Sequence, residues 1–274
     1  MNVRVLVEDT SSSTEYRSEH GLSLYIETRK HRLLFDFGQS GLFLENAEKM
    51  GVDVGGVDTA ILSHGHYDHG GGIAAFFQHN KSAEVLVQEH AFEPHFSIRA
   101  EGQTADIGLD PTLERNPRVR KMRGAQVLDG ELTVFSGVQG GILWPRANRT
   151  LLKAAAGDHA PDDFRHELNL IVTEDGEDVL FTGCAHNGIV SILEATCALR
   201  GRPPRAVVGG FHLVLKEGPD GGDAAFAAQV AEALRAYGAD YYTGHCTGEG
   251  GVQLLRTKMG PRVHRISTGL VFNP

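Results

Sequence analysis

Apolar and polar positions alternate with a period of two over residues 22–27, and with the short β-branched run over 3–7 and the apolar run over 33–37, closed by Gly38, they predict three opening strands. Residues 42–50 have helical spacing instead and stop at Gly51. Residues 58–63 form a run of buried-strand character, followed by a helix over 73–77 and a strand over 83–87. Later in the chain, residues 168–172 and 178–182 pair as a hairpin around Asp175-Gly176. Helices are predicted over 188–199, 224–237 and 250–259, and strands over 206–208, 241–243 and 265–272. Strands open and close each half with helices between, so the rhythm predicts a layered α/β fold with two sheets sandwiched by helices.

Between residues 91 and 163 the pattern weakens. Pro94, Pro111, Pro117, Pro145 and Pro161 interrupt it, and one clear strand stands at 132–135. The expectation is one domain over 1–274 that carries an irregular insert or lid at 91–163.

Composition adds limits. A net charge of −9 argues against nucleic acid as partner, which calls for a basic surface. No apolar stretch approaches the roughly 20 residues that span a bilayer, and the N-terminus lacks the pattern of a signal peptide. Three cysteines, an odd and sparse number, fit a reducing cytoplasm better than a disulfide scaffold.

The 14 histidines change the picture most. His64-x-His66-x-Asp68-His69 packs four potential ligands directly after a buried strand, with imidazole nitrogens and a carboxylate that zinc, iron or manganese accept. Alternation at the chain end points His64 and His66 to one metal and turns Asp68 and His69 to a second. Downstream, His186, His212 and His245 each follow a strand-like run and a glycine, and layered α/β folds collect their sites at such strand ends. Arg115, Arg118, Arg120, Lys121 and Arg123 form a basic cluster that reads as a solvated loop face sooner than as a phosphate holder. Cys246 and Cys197 read as core, and His20 carries too weak a signal for a role.

The motif at His64–His69 resembles that of the metallo-β-lactamase superfamily. Gly183-Cys184-Ala185-His186-Asn187-Gly188, Gly209-Gly210-Phe211-His212 and Gly244-His245-Cys246-Thr247-Gly248 resemble one branch of it, that of 7,8-dihydropterin-6-yl-methyl-4-(β-D-ribofuranosyl)aminobenzene-5′-phosphate synthase. The resemblance implies an αββα sandwich with a dinuclear metal site. By it, His64 and His66 hold the first metal, while Asp68, His69 and His245 hold the second. Cys184 stands where most members place a bridging aspartate, and a thiolate there favours zinc. His186 is the preferred third ligand of the first metal, with His166, 18 residues before Cys184, as its rival. Two Zn2+ ions are expected, with iron or manganese as alternatives.

The expected activity is hydrolysis of an ester, phosphoester or related bond in a small anionic substrate, one bearing phosphate included. Asp68 would orient the attacking water, and His212 would contact substrate or donate a proton. The alternatives are a synthase or transferase step on a pterin precursor and a ribofuranosyl-aminobenzene phosphate, or a metal-binding protein without catalysis.

Overall fold

A computed structural model describes residues 1–99, 102–216 and 221–274. Its first half runs β1 (Asn2–Val7), β2 (Ser23–Glu27), β3 (Arg32–Phe35), α1 (Leu42–Lys49), β4 (Thr59–Ile61), α2 (Tyr67–Gly70), α3 (Ile73–His79) and β5 (Glu84–Gln88). Seven short strands follow: β6 (His95–Ile98), β7 (Thr104–Asp106), β8 (Val119–Met122), β9 (Ala125–Val127), β10 (Leu132–Ser136), β11 (Leu151–Ala155) and β12 (Asp158–Pro161). The remainder is β13 (Leu168–Glu174), β14 (Glu177–Phe181), α4 (Ile189–Arg200), β15 (Ala206–Gly209), α5 (Gly222–Arg235), β16 (Asp240–Thr243), α6 (Gly248–Met259), β17 (Val263–Arg265) and β18 (Val271–Phe272).

Two seven-stranded sheets form, in the orders β18-β1-β2-β3-β4-β5-β8 and β17-β16-β15-β14-β13-β10-β9. The period of two decides how they stack, because successive side chains of a strand leave opposite faces. Val3, Val5, Leu24 and Ile26 of the first sheet meet Val134, Leu170, Val172 and Phe181 of the second in one core. The alternate residues Leu6, Tyr25 and Leu34 pack outward on Phe43 of α1 and Phe76 of α3. On the far side Ile171, Leu180 and Val207 pack on Ile192 of α4, Val230 of α5 and Leu255 of α6. The result is the expected αββα sandwich.

Three expectations are corrected. The single last strand over 265–272 is two strands in different sheets, β17 on β16 and β18 on β1. Between them Gly269 takes a φ of +91°, and the Thr268 N–H donates to Thr10 O, which redirects the chain. The third strand ends at Phe35 instead of Phe37, because Asp36 adopts a φ of +62°. Residues 91–163 are not mainly irregular: β6, β7, β11 and β12 make a third, four-stranded sheet. Strands such as β7 and β9 bury almost nothing and are held by backbone hydrogen bonds, so they lack the apolar alternation that marks a strand in sequence.

In the first sheet β3, β4, β5 and β8 run parallel, as do β14 to β17 in the second. Parallel strands release their chain ends on one edge, and the site is built there. Among the described residues no helix is long and apolar enough to cross a membrane.

Candidate metal centre

Four strand ends deliver the side chains: β4 leads to His64, β14 to Cys184 and His186, β15 to His212, and β16 to His245. Glycine is required where these exits touch. A Cβ on Gly65 would sit 2.2 Å from Ala91 O, and one on Gly183 would sit 2.1 Å from Ser63 Oγ.

The ligand atoms of His64, His66 and His186 lie within 4.8 Å of one another. In each ring Nε2 is buried and has no hydrogen-bond partner. An unsatisfied buried polar atom costs about 1–3 kcal/mol, so three pointing to one place mark a position for a ligand. The opposite nitrogens are occupied: His64 Nδ1 by Ser63 Oγ at 2.8 Å and His186 Nδ1 by Asn148 Oδ1 at 3.0 Å. That leaves the Nε2 lone pairs free. Burial first, and then the neighbouring imidazoles, push all three pKa values well below the usual histidine range, so the rings are neutral. Three neutral imidazoles fit a divalent cation.

A second group adjoins it. His69 Nε2 lies 3.1 Å from His245 Nε2 and 3.2 Å from Cys184 Sγ, and Asp68 Oδ2 lies 3.4 Å from His245 Nε2. Carboxylates hold the far nitrogens, the usual outer support of a ligating histidine. Asp36 Oδ2 accepts from His69 Nδ1 at 2.6 Å, and Asp9 Oδ1 accepts from His245 Nδ1 at 2.6 Å. Burial opposes the ionised Asp68, yet His69, His20 and His245 hold its carboxyl well below the usual range. Burial pushes the Cys184 thiol up. Imidazole and carboxylate donors in this arrangement, with the Cys184 sulfur as a thiolate, fit a second divalent cation.

The sequence motifs therefore converge, with refinements. His166 stands apart from the first group: its Nδ1 accepts the Gly65 N–H at 2.9 Å and its Nε2 faces Asp162 Oδ2 at 3.3 Å. His212 is half-buried with neither ring nitrogen partnered, its ring 4.4 Å from that of His186. Cys246 is buried as expected, but its sulfur belongs to the cluster, where the His212 N–H donates to it at 3.3 Å. The basic cluster is structural. Arg118 donates to Phe77 O and Asn80 O, while Arg120, Lys121 and Arg123 pair with Glu84, Glu114 and Glu89.

Several residues escaped sequence reasoning. His20 Nε2 lies 3.3 Å from Asp68 Oδ2 and its Nδ1 lies 3.1 Å from Asp9, contacts with Asp68 first that push its pKa up to about 9. Glu167 accepts the His186 N–H at 2.6 Å and two donors of Asn187, and burial pushes its pKa up to about 7. Asp36 and Asp9 did carry a signal: each is an acid just beyond an apolar strand.

A cleft of about 310 Å³ opens over both groups, lined by Asp68, Cys184, His186, His212 and His245. Arg99 and Lys216 also line it, and among the described residues neither has an acid partner. The segment 91–163 supplies Ser97, Arg99, Ile107, Thr150 and Leu151 to the lining.

Residues 17–150 match the family described as the metallo-beta-lactamase superfamily. A 7,8-dihydropterin-6-methyl-4-(beta-D-ribofuranosyl)-aminobenzene-5′-phosphate synthase from Methanocaldococcus jannaschii is 28% identical, covering 99% of this chain and 96% of its own. Among solved structures, Tm1679, described as a metal-dependent hydrolase of the beta-lactamase superfamily, is 27% identical with a TM-score of 0.82, over 100% of this chain and 99% of its own. Zn2+-bound PqqB from Methylobacterium extorquens covers 100% of both chains at 11% identity and a TM-score of 0.58, a likeness of fold.

Proposed function

We propose that this chain, whose residues 17–150 match the metallo-β-lactamase superfamily, is a metal-dependent hydrolase of a small anionic, phosphate-bearing substrate. The observation that carries this reading is the convergence of three unpartnered Nε2 atoms and the Asp68 group beneath a cleft lined by Arg99 and Lys216, which have no acid partner among the described residues. His64, His66 and His186 would hold one ion, and Asp68, His69, His245 and Cys184 the other. Such an ion, zinc by the donor set, supplies Lewis acidity and lowers the pKa of nearby water from about 16 to about 7.

The chain's own residues do the rest. Asp68 Oδ2, flanked by His20 and His245, accepts a hydrogen bond from the attacking water and takes its proton. His212, with both nitrogens free at the cleft, gives a proton to the leaving group. Arg99 and Lys216 bind the anionic group and fix it over the centre. At about 310 Å³ the cleft suits a small molecule. The segment 91–163 acts as an insert of a single domain that walls this cleft. The three free cysteines suit a reducing, cytoplasmic setting.

The test is turnover of a panel of esters, phosphodiesters and lactones by metal-loaded protein, with Asp68→Ala as control. Turnover that the variant abolishes is expected; none across the panel overturns the reading. A second reading has its own support, the synthase relative that is alike over nearly its whole length. There the same site would template a pterin precursor and a ribofuranosyl-aminobenzene phosphate for transfer. Quenching of pterin fluorescence on titration supports that reading, and no quenching sinks it.

A further inference from the structure

We propose that Cys184 and Cys246 form a disulfide when no cation is held at the second group, so that oxidation and metal binding compete for the Cys184 sulfur. The bond stands on the two thiols alone; the competition rests on the metal-centre reading above. The two cysteines are 62 positions apart and leave different strands, Cys184 after β14 and Cys246 after β16. Their Sγ atoms nevertheless lie within 4.8 Å of each other, and Cys246 Sγ lies 3.7 Å from Cys184 O. Gly210 permits the approach. Its N–H donates to Gly183 O at 2.7 Å, and a Cβ on it would sit 2.4 Å from Cys246 Sγ.

Packing alone does not account for the pair. A cysteine that serves only as a small apolar residue sits inert behind other side chains. Both of these line the cleft instead, which gives their side chains room to turn and lets a small oxidant reach them. A disulfide brings its sulfurs to about 2.05 Å, so rotation about the two Cα–Cβ bonds closes the remaining gap. Cys197, the third free cysteine, sits on α4 and does not line the cleft.

With hydrogen peroxide as oxidant, Cys246, whose sulfur accepts the His212 N–H at 3.3 Å, attacks one peroxide oxygen. The O–O bond breaks, the other oxygen leaves as water with the thiol proton, and Cys246 becomes a sulfenic acid. The Cys184 sulfur then attacks the Cys246 sulfur, the S–O bond breaks, and a second water leaves with the Cys184 proton. Two thiols thus lose two electrons and two protons, and the peroxide is reduced to two waters. The Cys184 sulfur lies 3.2 Å from His69 Nε2. Drawn into a disulfide it offers no thiolate, which leaves Asp68, His69 and His245 to the second cation. A bound cation conversely holds that sulfur as its ligand and keeps it from Cys246.

Chelator-stripped protein exposed to hydrogen peroxide, then unfolded and digested without reductant, tests the bond by mass spectrometry. A peptide pair linked through Cys184 and Cys246 is expected, lighter by two hydrogens than the reduced pair, and dithiothreitol should separate it. Thiol titration should lose two of the three free thiols and leave Cys197. Cys184→Ser, its fold checked by circular dichroism, should stop at a Cys246 sulfenic acid that dimedone traps. No linked pair in wild type, or a link through Cys197, overturns the proposal. Co2+ uptake by the oxidised protein should fall by one equivalent and return on reduction, and zinc-loaded protein should oxidise more slowly than stripped protein. A pair that links equally fast with zinc bound, with uptake unchanged, would remove Cys184 from the metal centre and overturn the competition while the disulfide stands.

Discussion

Asp36→Asn tests whether the outer carboxylates set the tautomers that the centre needs. Asp36 is wholly buried and lines no part of the cleft. Its Oδ2 accepts from His69 Nδ1 at 2.6 Å and from Ser63 Oγ at 2.7 Å, and its Oδ1 accepts the Ser63 N–H at 2.7 Å. All three contacts need an acceptor, and asparagine offers only one. With its oxygen toward Ser63 N–H, the amide NH2 faces His69 Nδ1 and drives the ring proton onto Nε2, the atom that should ligate. Turned round, the NH2 opposes the Ser63 N–H instead. Removing such a support costs about 10–100-fold in metal affinity, equivalent to about 1.4–2.8 kcal/mol. Hydrogen bonds to a buried charge contribute about 1.5–3 kcal/mol each, so losing one or two destabilises the metal-free fold by about 1.5–6 kcal/mol. Chelator competition measures the first quantity and urea unfolding of stripped protein the second. Substrate affinity at saturating metal should stay near that of wild type. A folded Asp36→Asn protein whose metal affinity lies within about threefold of wild type would refute the tautomer argument.

Two further outcomes follow from particular contacts. His186→Ala should weaken the tightest phase of metal uptake by more than about 100-fold, beyond the loss of an outer support, whereas His166→Ala leaves that phase intact; the reverse order would make His166 the ligand. His31, bonded to Asp58 at 3.0 Å and Asp129 at 2.6 Å, has a pKa that burial lowers but the two carboxylates raise overall. Its stabilisation is therefore complete below its unfolded value of about 6.5 and is lost as pH rises through the higher folded one. Discounted for its solvent exposure, His31→Gln should cost at most about 1 kcal/mol at pH near 5.5 and less near pH 9. Thermal melts at both values check this, and an equal loss at both would contradict it.

The sandwich was legible because both its sheets bury two faces of alternating strands. Val3, Val5, Leu170 and Val172 announce one core, and Leu6, Leu34 and Ile171 the flanking ones. The third sheet was not legible, since β7 and β12 stay exposed and owe their shape to backbone pairing that leaves no apolar period. In the site, residues close in sequence were easy: His64 to His69 is a cluster on the page. Partners distant in sequence were harder. Asp9 meets His245 236 positions away, and His95 meets Asp162 across 67, so no local spacing relates them. His20 was passed over because its neighbours say nothing; its position depends on the carboxylates of Asp9 and Asp68 that close around it.

The backbone at the strand ends explains why so many ligands can face one point. A strand that ran on straight would send alternate side chains to opposite faces of its sheet. Asp36 after β3, Ala185 after β14, His212 after β15 and His245 after β16 break that alternation, with φ of +62°, +53°, +51° and +48°. None is glycine, so each conformation costs about 1–2 kcal/mol. Local bonds hold them in place. The Asp36 N–H donates to Ile61 O at 2.9 Å and the His245 N–H to Glu8 Oε1 at 2.6 Å. Ala185 O accepts the Gly188 N–H at 2.9 Å just before α4 starts. The strain thus sits on the chain that carries Cys184, His186, His212 and His245 and on the carboxylate that supports His69. Apolar burial across three cores sustains that cost, and the candidate donors are left facing one place. Were a cation held there as proposed, donors placed in advance on a fixed backbone would be the condition for a tight and geometrically selective centre.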